Sequence, residues 1–155
     1  MFETYFKTIP KYNKISLDEE RCLIAQAKRG NKGKTNELVL RHVRFVRFRI
    51  YKIVFPAYRK RFGEDILSQA IFILYDKIES YDLRYKDSEG SLKPVRFSSY
   101  IWKRVDGFII DYLKKELGRE RQERSLDWGR PEHENNVEKD CVVEKLVWKY
   151  RPESF

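Results

Sequence analysis

Cysteine and histidine are scarce in this chain, at two residues each, and neither type is grouped. Cys22 and Cys141 lie far apart without a CxxC pair, and His42 and His133 complete no metal-ligand spacing. Such usage predicts neither a disulfide framework nor a metal site, and it fits a reduced cytoplasmic protein with two incidental thiols. No uninterrupted apolar run approaches transmembrane length and no signal peptide opens the chain, so no membrane partner is expected. A nucleotide-cradling glycine loop, a nucleophile elbow and a metal cluster are all missing from the sequence. Neither enzymatic activity nor a cofactor is therefore expected. Core helices and salt-linked surfaces account for Asp65, Asp82, Asp106 and Asp111 without chemistry.

What the chain has in quantity is aromatic surface and positive charge. Ten Phe, ten Tyr and three Trp make up 15% of its 155 residues, and the formal net charge is +9. Aromatic side chains fill cores, but they also stack on bases and anchor protein interfaces. The charge is unevenly spread. Residues 1–62 hold 16 basic and 5 acidic side chains, 63–92 hold 3 and 7, and 93–130 hold 10 and 6. A basic surface interrupted by an acidic element suits a protein that touches nucleic acid on one side and a protein partner on another. Positive charge can also attract a membrane surface, a weaker reading here.

Residues 1–14 mix aromatics, lysines and Pro10, as a short helix or an ordered arm. Ser16 followed three residues later by Glu19 is a capping-box pattern, which predicts a helix over about 17–29 ending at Arg29-Gly30-Asn31. Its packing residues are Leu17, Leu23, Ile24 and Ala27, and Gly30–Lys34 reads as a turn. A second helix is expected over 35–55, ending before Pro56. Val39, Val43, Val46, Ile50, Ile53 and Val54 form its apolar stripe. Arg41, Arg44 and Lys52 face the other way with Phe45 and Phe48 among them, either as a contact surface or packed under another element. A basic loop, Tyr58–Arg61, leads to a helix over 65–81 with Leu67, Ala70, Ile71, Leu74, Ile78 and Tyr81 inward. Residues 82–95 read as a loop. A helix over 98–117, ended by Gly118, has Phe97, Ile101, Val105, Phe108 and Tyr112 as its inner stripe, with Lys103, Gly107, Ile110 and Lys114 opposite. Gly107 costs a helix interior about 1 kcal/mol against Ala, which hints at close approach by something. After a charged stretch broken by Pro131, a short helix is expected over 137–150. Four core helices without alternating strands predict an all-α fold, a compact helical bundle. It divides into an arm and first helix (1–34), a helical core (35–118), and a charged linker with a short C-terminal helix (119–155).

Several stretches, in order, resemble the bacterial sigma-70 family. YFKTIPKYNKISLDEE (5–20) and AQAKRGN (25–31) are similar to region 1.2, and NELVLRHVRFVRFRIYKI (36–53) to region 2.1. DILSQAIFILYDKIESYD (65–82) resembles region 2.2, with Asp65, Leu74, Glu79, Tyr81 and Asp82 at the family's usual types. The most specific stretch is RFSSYIWKRVDGFIIDYLKK (96–115), similar to regions 2.3 and 2.4 of the flagellar and sporulation types through Phe97, Ser98, Ser99, Tyr100, Arg104, Gly107, Ile109, Ile110 and Asp111. Ser-Leu-Asp at 125–127 resembles the start of the following linker. Two departures stand out. Ser68 and Gln69 occupy the family's Gln-Glu pair, which implies an altered polymerase contact. Lys103 and Arg104 occupy the housekeeping members' paired tryptophans, although Trp102 is adjacent. The resemblance covers residues 5–127, and the 28 that follow are too few for the family's helix-turn-helix module. A one-domain factor, half of a split factor and a fragment all remain open.

The resemblance implies a bundle like sigma factor domain 2 with a short C-terminal extension. It further implies a promoter-specificity factor that binds RNA polymerase core, engages the −10 region and assists melting. The implied polymerase-binding residues are Asp65, Ser68, Gln69, Phe72 and Asp76, docking on the largest subunit's clamp helices. The implied DNA-binding residues are Arg41, Arg44, Tyr100, Trp102, Lys103, Arg104, Gly107, Ile110 and Lys114, with Phe97 supporting them from the core. Upstream promoter reading would fall to a separate subunit, and the expected location is the cytoplasm, at the nucleoid. The alternative is a polymerase-binding adaptor or regulator that does not melt DNA.

Overall fold

The computed structural model describes Lys7 and residues 10–127, and those residues form an all-α fold of four helices. The helix expected over 137–150 lies outside the described residues, as does most of the arm before Pro10. No helix among the described residues is long and apolar enough to cross a membrane.

Helix α1 runs Leu17–Lys28. Its start is the expected capping box: the Glu19 amide donates to Ser16 Oγ at 3.2 Å, and the Ser16 amide to Glu19 Oε2 at 2.7 Å. Gly30, at φ +90°, supplies the left-handed residue that turns the chain out of the helix. Helix α2, Lys32–Ile53, starts earlier than expected because Asn31 acts as its N-cap, accepting from the Lys34 amide at 3.2 Å. The predicted turn therefore shortens to the residues around Gly30. Helix α3, Pro56–Ser80, also starts earlier. Pro56 at its first position is pre-set for a helix and lacks an N–H that would have no helical partner there anyway. Tyr58–Arg61, read as a loop, thus lies within the first two turns of α3, and Gly63 is a buried helical residue.

Helix α4, Phe97–Asp127, passes straight through Gly118, the expected stop. A glycine ends a helix by adopting positive φ, which among the described residues only Gly30 and Gly90 do. Beyond Gly118 the helix is supported on its surface by Arg119, 2.8 Å from Glu116 and 3.7 Å from Glu123.

One continuous core unites the helices, with α2 packed against each of the other three. The stripe predicted for α2 is buried in full, and so is that of α3 apart from half-buried Ile71. On α4 the inner row is Phe97, Ile101, Val105, Ile109 and Leu113. Phe108 and Tyr112, expected inside, are only half-buried. The core follows an unbroken four-residue ridge, the row along which helices commonly interdigitate. Among the described residues four charged or polar side chains are also buried: Glu20, His42, Arg49 and Asp106. Each is paired, as groups removed from water must be.

Candidate nucleic-acid interface

Between α3 and α4 the chain makes a small hairpin. Asp87 Oδ1 accepts from the amides of Glu89 and Ser91, both at 3.0 Å, and Gly90 takes φ +81°. The Lys93 amide donates to Tyr85 O at 3.1 Å, closing it. This hairpin, the end of α3 and the first turns of α4 enclose a cleft of about 430 Å³. Its walls include Tyr81, Asp82, Tyr85, Lys93, Ser99, Tyr100, Trp102 and Lys103. Four aromatic rings, two lysines and a carboxylate thus converge on a space within the usual range of small-ligand sites, roughly 300–1,000 Å³.

The aromatic walls are braced. Tyr100 stands edge-on to Tyr81, with centroids 5.2 Å apart and planes at 88°. Its hydroxyl donates to Ser80 O at 3.2 Å, and Lys77 Nζ lies 5.5 Å from its ring centroid. Tyr81 in turn donates its hydroxyl to Val95 O. Burial pushes the Tyr81 hydroxyl above the usual phenol range, against the pull of the Arg21 charge, so it stays a neutral donor. Phe97, expected to support these rings, is completely buried 6.3 Å from Tyr100 and 6.0 Å from Tyr81.

Trp102 is half-buried, with the Arg49 guanidinium 5.6 Å and Lys103 Nζ 5.7 Å from its ring. Arg49 is itself fixed by Asp106: Nε donates to Oδ1 at 2.8 Å and Nη2 donates to Oδ2. A buried two-pronged pair joining α2 to α4 therefore sets a cation over the cleft tryptophan. Neither member was among the expected site residues. The available signal was a lone Arg and a lone Asp breaking into the two apolar stripes, which a core tolerates only when they meet.

Of the expected DNA-binding residues, Tyr100, Trp102 and Lys103 line this cleft. Arg104 and Lys114 are exposed further along α4. Ile110 leans on the core instead of lining an open face. Gly107 is open: a Cβ placed there would meet nothing within 4 Å, so no neighbour among the described residues requires a glycine. Arg41 is occupied elsewhere. It donates to Glu37 Oε1 at 2.9 and 3.1 Å and to Asn13 O at 2.9 Å, with Tyr12 stacked 4.6 Å away. Arg44 is exposed on α2, and neither arginine belongs to the cleft lining. Tyr85, Lys93 and Val95, unmarked by any sequence pattern, join the site only because the hairpin folds back.

A second surface lies on α3. Asp65, Ser68, Gln69, Phe72 and Asp76, at helical spacing, are all exposed, while Ile66, Leu67, Ala70, Leu74 and Ile78 on the opposite side are buried. Phe72 is 73% exposed, an unusual position for so large an apolar ring. Beside it, Tyr75 donates its hydroxyl to Asn36 Oδ1 at 2.8 Å, tying this face to α2.

No family model, curated protein or solved structure matches the chain.

Proposed function

We propose that this chain is a sigma-like initiation factor that binds a bacterial-type RNA polymerase core through α3 and helps open promoter DNA through the cleft at the start of α4. The observation that carries this reading is the coincidence of braced aromatic rings and lysines around one recess of about 430 Å³. Unstacking duplex DNA costs a few kcal/mol per step. A rigid aromatic surface recovers about 1–3 kcal/mol for each base stacked on it. Lys93 and Lys103 at the cleft, and Lys114 further along α4, supply sequence-independent attraction for phosphates. The order of motifs along residues 5–127 supports the sigma-70 resemblance, and the exposed Phe72 face supports a protein partner on a separate element.

The decisive experiment mixes the protein with core polymerase and a promoter library and follows permanganate-reactive thymines. Opening at defined positions is the expected result. Polymerase binding without opening would instead favour an adaptor that docks through α3 and leaves DNA closed.

A further inference from the structure

Helix α1 touches both lips of the cleft from behind, through side chains whose charge matches the helix end each one meets. Lys28 Nζ donates to Glu79 O at 2.6 Å and to Tyr81 O at 2.7 Å, two carbonyls at the end of α3. Arg21 Nη2 donates to Leu83 O at 2.7 Å, just beyond. One residue before Arg21, buried Glu20 reaches the other way. Its Oε2 accepts the Phe97 amide, the first of α4, at 3.2 Å. A cation therefore sits at the negative end of α3 and an anion at the positive end of α4, the favourable arrangement in both cases. Glu20 is held in turn by His42, whose Nε2 lies 3.4 Å from Glu20 Oε1. His42 Nδ1 lies 2.8 Å from Leu38 O, so both ring nitrogens face an acceptor. The imidazole also stands edge-on to Phe97 at 4.8 Å.

The cleft has its aromatic walls on these two lips: Tyr81 at the α3 end, Tyr100 and Trp102 in the first turns of α4. We propose that α1 is a positioning clamp for the cleft, in which Glu20, Arg21 and Lys28 set the separation and register of the two lips without touching bound nucleic acid. This rests on the proposed function for what the cleft holds, but the clamp itself is a property of the free protein. Positioning matters because a recess built from side chains on separate elements loses its complementarity once those elements shift by about an ångström.

The test compares wild type with Glu20→Ala, Glu20→Gln, Lys28→Met and Lys28→Arg. In the free protein, amide hydrogen exchange is read at Phe97 and Tyr100 for the Glu20 variants and in the last turn of α3, Ile78–Ser80, for the Lys28 variants. In complex with core polymerase, affinity is measured for a single-stranded −10 oligonucleotide carrying 2-aminopurine. Glu20→Ala and Lys28→Met are expected to speed local exchange about ten-fold and to weaken oligonucleotide binding about ten-fold, the scale of a lost cap. Polymerase affinity should be unchanged. Glu20→Gln, which keeps an acceptor for the Phe97 amide, and Lys28→Arg, which keeps the donors, should recover most of the loss. Wild-type exchange rates in the Ala and Met variants would overturn the clamp. So would faster exchange with unaltered oligonucleotide affinity, or a parallel loss of polymerase affinity that marks α1 as a general brace. Should Glu20→Ala fail to fold, the exposed Lys28 pair carries the same comparison from the opposite lip. A wild-type complex that binds no oligonucleotide would reject the proposed function, and the exchange measurements would then decide the clamp by themselves.

Discussion

The outward face of α3 and the cleft at the start of α4 are built on opposite plans. On α3 the candidate contact residues stand in solvent along one helix, and Phe72 is largely bare. Around the cleft three of the four rings lean on something: Tyr81 on Phe97, Tyr100 on Tyr81 and Ser80, and Trp102 on Arg49, which rests on buried Asp106, whereas Tyr85 at the hairpin is exposed. A protein partner can supply the surroundings of an exposed ring when it docks, burying it in a pocket of its own. An extruded base offers little area and must repay an unstacking cost, so the surface receiving it gains most from being rigid beforehand. On the proposed reading, exposure suits the docking face and bracing suits the cleft.

The largest expected effect tests the bracing. Asp106→Ala leaves the Arg49 guanidinium buried without its partner and should lower stability by about 3–5 kcal/mol in urea denaturation. The double change Arg49→Met with Asp106→Leu should cost less than Asp106→Ala, because no unpaired charge remains. If the double variant were folded and also opened promoters normally, the cation over Trp102 would have no bearing on the cleft.

Tyr100→Ala and Trp102→Ala should each reduce open-complex formation on duplex promoter by about 1–3 kcal/mol, the worth of one stacked base. A template already mismatched across the −10 region should recover much of that loss. Folding must be checked alongside, since both rings are partly buried. Equal defects on duplex and premelted templates would assign the rings to general binding.

Phe72→Ala should do the converse: weaken core-polymerase binding by about 2 kcal/mol, as expected for an interface anchor, with stability changed by less than about 0.5 kcal/mol. Titration by fluorescence anisotropy measures the first and thermal unfolding the second. Unchanged affinity would remove α3 as the docking face and weaken the contrast with the cleft.

Gly107→Ala should stabilise the protein by about 0.5–1 kcal/mol, because the site is helical and a Cβ meets no neighbour there. If nucleic acid comes close to α4 at this point, the same change should reduce promoter opening while raising the melting temperature. A gain in both would show that nothing approaches Gly107.

The smallest effect is set by pH. Burial by itself would raise the Glu20 carboxyl, but hydrogen bonds from His42 and the Phe97 amide, with the charges of His42 and Arg96, hold it below the usual value of 4.5. A carboxyl depressed in the folded state adds stability that is present above its unfolded pKa and is lost as pH falls through the folded one. The cap on α4 should therefore weaken on acidification below about pH 4.5, as followed by circular dichroism. Glu19 and Glu37, also lowered by hydrogen bonds, lose their partners in the same range. The difference between wild type and Glu20→Gln is consequently the readout: the variant should show a shallower acid limb. Identical limbs would mean that the Glu20 charge adds nothing to the cap.

Local signals explain which parts of this arrangement were readable in advance. The face of α3 follows from a 3.6-residue period within 12 consecutive positions, Asp65–Asp76, so exposure and burial there could be assigned by counting. The capping box at Ser16 was legible for the same reason, since both of its hydrogen bonds span three residues. Helix ends were less so. Gly118 offered a stop that the chain did not take, because a glycine permits positive φ without requiring it.

By itself, then, the sequence determined an all-α chain, the inward faces of α2 and α3, a basic chain broken by an acidic stretch over 63–92, and the aromatic residues at the head of α4. Each of these depends on neighbours along the chain or on composition. Tertiary structure alone decided that Arg49 meets Asp106 across 57 positions, that Glu20 caps α4 across 77, and that the 85–93 hairpin closes one side of the cleft. Such pairings form because burial makes an unmatched charge costly, and packing selects which distant partner is within reach.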